Sequence, residues 1–463
     1  MNCEAARLVE AREEEVQRLG GLEAYRLQAL RNLKLKTVVK ESHASPVHTL
    51  VLNHTSLELG NLFATVGADQ ATVYDGEHMG DHVAVVAHFT NAASDHAPGG
   101  GLQAAAWLSA AGWSEAPAGD ACLAVAGADP NISVISVVEA RVVRLLRGHT
   151  REMVELAAAP AAPRLLLSLS RDGNLRLWDV PSEACLSSLQ TEATCIAMAP
   201  DARSVLLGTS RGKLQQYDIT TTTAAAAPAA AAAATVPAAE AAAAAGAGGG
   251  AAQGPAAAAA AALPPPSEPR PCLVEGSRRE VQCLGSCHSD ALDCLRFLPG
   301  GRLASKSTDG RMFVWRLGGS EGSSSGGDRG SDSWQLEMAA TWKVPACSGA
   351  GGLANRCQFG CTADGRFIAA GNSKGDCFVY DSESGERVAH VSAIRVSAPV
   401  RACGLSEDCR HLMAVLGKGF VFRFEYHGPL AGAATEQQDS GPTGSGEEME
   451  GKKNKQLVQQ EAA

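Results

Sequence analysis

The chain has 463 residues and a formal net charge of −10, which argues against a general affinity for nucleic acid, because that needs a basic face. Apolar residues make up 45% of it, ample for a large core. No run of 18 or more strongly apolar residues occurs, so no membrane-spanning helix and no membrane partner are expected. The charged start, MNCEAARLVEAREEEVQ, holds no apolar signal core, and the 14 cysteines are scattered singly, so a reducing, intracellular setting is expected.

Residues 1–33 read as a helical N-terminal extension. Leu8, Val9 and Val16 recur among Glu and Arg, and Leu22, Tyr25, Leu27 and Leu30 follow after Gly20-Gly21. Such an extension packs on the following domain or trails from it; the alternative is a helix that binds a partner. From Leu33 to Glu41 polar and apolar residues alternate, the mark of a strand.

Seven units then share one ending, an apolar strand, a Gly or Asp turn and a second strand with an aromatic near its end. They lie at 62–75, 122–137, 165–180, 205–219, 302–317, 367–381 and 412–426. Asp172-Gly173, Asp309-Gly310 and Lys374-Gly375 suit tight hairpin turns. Repeats of this kind build propeller blades, so the expected fold is all-β, a seven-bladed propeller over 34–427. The strand at Leu33–Glu41 should complete the last blade and close the ring. Thr220–Pro271, rich in Ala, Pro and Gly, reads as a disordered insertion between blades four and five. Residues 318–333 read as a flexible loop and 428–463 as a disordered tail.

His149, Ser168, Asp172 and Trp178 resemble a catalytic set at first sight. The same set recurs as His288, Ser305, Asp309 and Trp315, with four residues from Ser to Asp and six from Asp to Trp in both copies. A catalytic centre has no reason to occur twice at matching positions. The structural reading is a hydrogen-bonded chain, Asp to His to Ser to Trp, that fixes strand register. No GxxxxGK[ST], HExxH or GxSxG pattern is present, so neither a catalytic nor a cofactor site is expected. Cys283, Cys287 and His288, or Cys357 and Cys361, lack the second pair of a zinc site, and no metal is expected.

Several segments go beyond a generic repeat: FATVGADQATVYD (63–75), RGHTREMVEL (147–156), HSDALDCLRFL (288–298), LASKSTDGRMFVW (303–315) and SAPVRACGLSEDCRHLMAVLGKGFVFRFE (397–425). In order and spacing the chain resembles the Polycomb WD-repeat subunit family, called embryonic ectoderm development protein in vertebrates and extra sex combs in flies. The resemblance spans about residues 34–426 without the Ala-rich insertion. It implies a nuclear, non-catalytic scaffold of a histone H3 lysine methyltransferase complex, acting in transcriptional repression. One face would grip a helix of the Enhancer-of-zeste-like catalytic subunit. The other would read trimethyl-lysine on the histone H3 tail through an aromatic cage.

Carried over residue by residue, the family's cage falls on Phe63, Gln103, Asn355 and Arg356. Only the first is aromatic, and an arginine there opposes a cation. Trp107 and Trp342 are the nearest rings that could stand in. The competing readings are a WD-repeat substrate receptor of a ubiquitin ligase or another chromatin scaffold. Such receptors resemble one another in an Arg two residues after the Trp-Asp of a blade. Here Pro181, Thr220 and Glu383 occupy the corresponding places.

Overall fold

A computed structural model describes residues 12–41, 46–55, 59–78, 82–92, 99–110, 113, 120–159, 161–222, 270–318, 334–347, 356–392, 397–417 and 419–428. The chain divides into two units, Met1–Tyr426 and His427–Ala463, and the architecture below belongs to the first.

Seven sheets follow one another around a closed ring, antiparallel throughout except where the short strand Gln282–Leu284 runs parallel to Gln335–Lys343. From the innermost strand outward, blade 1 is Val47–Leu52, Leu62–Gly67, Gln70–Asp75 and Ala84–Thr90. Blade 2 is Leu102–Ser109, Ala121–Gly127, Ile132–Ser136 and Arg141–Leu146; blade 3 is Met153–Ala158, Leu165–Ser170, Asn174–Asp179 and Ala184–Gln190. Blade 4 is Ala193–Met198, Ser204–Thr209, Leu214–Thr222 and Arg270–Leu273; blade 5 is Leu292–Leu298, Arg302–Ser307, Arg311–Gly318 and Gln335–Lys343. Blade 6 is Gly360–Cys361, Phe367–Gly371, Asp376–Asp381 and Arg387–Ser392. Blade 7 joins Val400–Leu405, His411–Leu416 and Phe420–Glu425 to an outer strand from the N-terminal side, Lys34–Lys40. That strand pairs from Lys34↔Glu425 to Lys40↔Phe420, so the first and last parts of the ring share one sheet. The innermost strand of blade 1 packs on those of both blade 2 and blade 7, which closes the circle.

The seven repeated endings of the sequence are the second and third strands of the seven blades. Their turns use the glycine freedom the sequence advertised: Gly173, Gly310 and Gly375 have φ of 82°, 86° and 99°. The second strands are buried along their whole length because they are covered on both faces by neighbouring blades. Several blades also tie the acid that ends the third strand to a base at the start of the second, as in Arg164–Asp179 at 3.0 Å, Arg366–Asp381 at 2.8 Å and Arg410–Glu425 at 3.2 Å.

One expectation needs correction. The insertion does not begin at Thr220 or end at Pro271, because Ile219–Thr222 pair with Arg270–Leu273 as an outer hairpin arm of blade 4. A run of β-branched threonines favours the extended backbone, and Pro271 is tolerated on the outermost strand, where an N–H is not needed. Residues 223–269, 319–333 and 429–463 lie outside the described residues. The helical extension is packed on the ring. After the break at Gly20 and Gly21, helix α1 (Leu22–Arg31) buries Tyr25, Ala29 and Leu30. Its Arg26 reaches Asp364 and Glu407 on blades 6 and 7.

Candidate ligand-binding channel

The two repeated polar sets are buried cross-braces. In blade 3, Asp172 Oδ2 lies 2.8 Å from His149 Nδ1, His149 Nε2 lies 2.7 Å from Ser168 Oγ, and Trp178 Nε1 donates to the same Ser168 oxygen at 2.7 Å. One arrangement of protons satisfies every member. His149 donates from Nδ1 to the carboxylate and accepts the Ser168 proton at Nε2, and Ser168 accepts from the indole. A neutral imidazole is required, and burial lowers the proton affinity of His149 while Asp172 only partly opposes it. Asp172 itself is held below the usual carboxylate range, because its bonds from His149, Asn174 and Thr150 outweigh its desolvation.

The second copy departs from the expected pattern. His288 Nε2 bonds Ser305 Oγ at 2.7 Å and Trp315 Nε1 donates to Ser305 Oγ at 2.8 Å. The other ring nitrogen, however, meets Ser307 Oγ at 2.8 Å, and Ser307 in turn donates to Asp309 Oδ1 at 2.6 Å. Asp309 is therefore one hydroxyl removed from the histidine. The backbone before the histidine differs between the copies. Gly148 takes φ 153°, close against the side chains of Arg176 and Trp178, where Cys287 stands in the second copy. Without a carboxylate in direct contact, burial pushes the His288 imidazole down to about 3.

The innermost strands carry a second repeated feature. In six of the seven, the pairing register slips by one residue at the second position, at His48, Gln103, Val154, Thr194, Asp293 and Arg401. A bulge re-aims the side chain it carries. Five of these six line a single cavity of about 560 Å³ at the ring's centre, joined by Gln358 and Arg356 from the entry to blade 6. Asp293 turns away and holds Lys306 Nζ at 2.6 Å, an ion pair in which both side chains are 1% exposed. The carboxylate keeps the Lys306 ammonium charged against its burial.

Arg356 closes the base of this cavity. Its Nε donates to the Asp293 carbonyl at 2.6 Å, Nη1 to the Val154 carbonyl at 3.3 Å, and Nη2 lies 2.7 Å from Glu155 Oε2. One side chain from blade 6 thus reaches blade 5 and, across the channel, blade 3. Burial disfavours its charge, but Glu155 more than compensates and its proton affinity is raised.

Of the four expected cage positions, the structure brings two together and sets one apart. Gln103 and Arg356 share the cavity, but Phe63 is fully buried and stacked on Tyr74 with ring centroids 5.1 Å apart. Phe63 stands on a second strand, whose side chains fill the space between blades; the channel is lined from the innermost strand, where blade 1 presents His48. Asn355 lies outside the described residues. Trp107 donates its indole N–H to Val51 in the core between blades 1 and 2, and Trp342 stacks on Tyr380 at 5.0 Å. Among the described lining residues the only ring is the imidazole of His48. Among the described residues, no three His, Cys, Asp or Glu side chains are grouped so as to hold a metal ion, and no helix is long and apolar enough to cross a membrane.

A ring of seven four-stranded blades, two of them braced by His–Ser–Trp sets, defines a WD-repeat β-propeller. Residues 140–179 match the family described as WD domain, G-beta repeat. The chain resembles the Polycomb WD-repeat subunits. It is 29% identical over 157 residues to Polycomb protein esc of Drosophila melanogaster, covering 34% of this chain and 35% of the fly protein. It is 36% identical over 72 residues to Polycomb protein EED of Chaetomium thermophilum, covering 15% and 13%. With Polycomb group protein FIE1 of Oryza sativa subsp. japonica it is 21% identical over 382 residues, 82% of this chain and 88% of the rice protein. The matched stretch is thus about a third of the fly protein and much less of the fungal one, while the rice match runs nearly end to end.

Proposed function

We propose that this chain is a non-catalytic scaffold subunit of a Polycomb-type histone H3 lysine methyltransferase complex, acting in the nucleus in transcriptional repression. The observation that carries the reading is the collinear likeness to the rice Polycomb protein over 82% of the chain, on a closed seven-bladed ring. A rigid ring offers preformed surfaces, and recognition of a partner helix lays an apolar face against such a surface. The partner in this reading is a helix of an Enhancer-of-zeste-like catalytic subunit. The His–Ser–Asp sets are buried braces in this reading and take no part in a reaction.

Trimethyl-lysine reading is not part of the proposal. A quaternary ammonium is held by aromatic faces, each contributing about 0.5–2 kcal/mol, and the cavity presents one imidazole. Affinity purification of the tagged chain from its own cells tests the scaffold reading. Recovery of a histone H3 methyltransferase in stoichiometric amount supports it, and recovery of the chain with ubiquitin-ligase subunits in its place overturns it.

A further inference from the structure

The wall of the central cavity has a definite chemistry. Among the described residues, three guanidinium groups line it, from Arg171, Arg356 and Arg401, against one carboxylate, Glu192, which is exposed. Arg356 is engaged with Glu155 below the floor, and Arg171 meets Glu152 at 3.0 Å on the outside. Arg401 sits on the bulge of blade 7, half-buried, and burial lowers its affinity for a proton. His48, on the neighbouring bulge, keeps an exposed edge, and partial desolvation together with the charge of Arg401 lowers its affinity for a proton. Gln358 has its amide oxygen engaged by the Thr49 hydroxyl, so what it can offer a ligand is N–H. Gln103 adds a second amide from blade 2.

We infer that this channel mouth binds an oxyanion, a carboxylate or phosphate carried on a peptide side chain, between Arg401, Gln103, Gln358 and His48. The inference rests on the reading of the propeller as a protein-binding scaffold, and goes beyond it in the site and the ligand class. A guanidinium flanked by amide N–H groups matches the donor geometry that carboxylates and phosphates require. Partial burial strengthens the attraction relative to open water. A cavity of about 560 Å³ falls within the range usual for ligand sites and admits a side chain together with part of its backbone. The bulges of blades 1, 2 and 7 position His48, Gln103 and Arg401, each of which stands on a strand rather than on a loop.

The test is a fluorescence-anisotropy titration of the full chain with four versions of one labelled Gly-Ser host peptide. The central residue is phosphoserine, glutamate, serine or trimethyl-lysine, at about 0.15 M salt so that loose surface attraction is screened. The phosphoserine or the glutamate peptide should bind at least about tenfold more tightly than the serine peptide, a difference of about 1.4 kcal/mol. Success of both identifies any oxyanion as ligand; success of phosphoserine alone, with competition by inorganic phosphate, identifies phosphate. Arg401→Gln should remove the preference while the thermal unfolding midpoint stays near that of the wild type. If that variant fails to fold, Gln103→Glu provides the second reading, because a carboxylate added to the same wall should cut anion binding by a similar factor. Equal binding of serine and anionic peptides, preference for trimethyl-lysine, or a preference that survives both substitutions overturns the proposal. Co-purification of a methyltransferase by the wild-type chain is measured in parallel. Its failure strikes the scaffold reading and leaves the anion site to the titration alone.

Discussion

Arg356→Ala removes a side chain that joins three blades across the channel. Lost are the bonds to the carbonyls of Asp293 and Val154 and the ion pair with Glu155. What remains is a carboxylate 3% exposed, supported by the Ile196 N–H at 2.9 Å and, more distantly, by Arg296 at 3.9 Å. Breaking one partner out of a buried pair costs about 3–5 kcal/mol, because the survivor is left charged without compensation. The two remaining supports of Glu155 place the expected loss near the lower end, about 3 kcal/mol. Guanidinium chloride would screen the ions under study, so the assay is urea unfolding followed by tryptophan fluorescence. Glu155→Gln in the Arg356→Ala background should recover part of the loss, since the orphaned charge is gone, and the cycle should show a coupling of about 1–3 kcal/mol. A loss below about 1 kcal/mol, or strict additivity of the two substitutions, refutes the idea that Arg356 is the channel's internal cross-link.

Asp172→Ala strands the His149 Nδ1–H and the backbone N–H groups of Thr150 and Asn174, so it should destabilise by about 1–3 kcal/mol in the same assay; full stability contradicts the bracing role. His288 titrates near 3 in the folded chain against 6.5 ordinarily, so the unfolded chain binds a proton that the fold refuses. Stability is full above pH about 6.5 and falls as the pH drops toward 3, and the unfolding midpoint should decline from pH 7 to pH 4 less steeply in His288→Gln. Equal slopes in the two proteins contradict it. Replacing residues 223–269 by a short Gly-Asn turn should leave the unfolding midpoint unchanged, because Thr222 and Arg270 already face each other at the end of a hairpin arm. A large drop would show that the insertion supports the ring.

The fold could be read because each blade repeats one apolar strand, one glycine turn and one aromatic-tipped strand, and seven such copies survive. The channel was harder to read, since it is built from single residues rather than from strands. A signal was present: His48, Gln103, Thr194 and Arg401 are each a polar residue at the second place of a mostly apolar innermost strand. That offset, aligned across blades, marks the bulge that turns the side chain inward. Phe63 stands on a second strand, and an aromatic there packs between blades. Ser307 was not anticipated as a relay, since blade 3 carries a serine at the matching place, Ser170, and there the histidine meets the acid directly. The arm Ile219–Leu273 was hidden by the composition of the sequence it encloses.

The most direct measurement is histone H3 methylation in extracts of cells that contain this chain, assayed before and after its immunodepletion and after adding back the purified propeller. The account predicts that activity falls on depletion and returns with the added protein, Asp172→Ala included at a temperature where that variant is folded. Full activity in the depleted extract would contradict it.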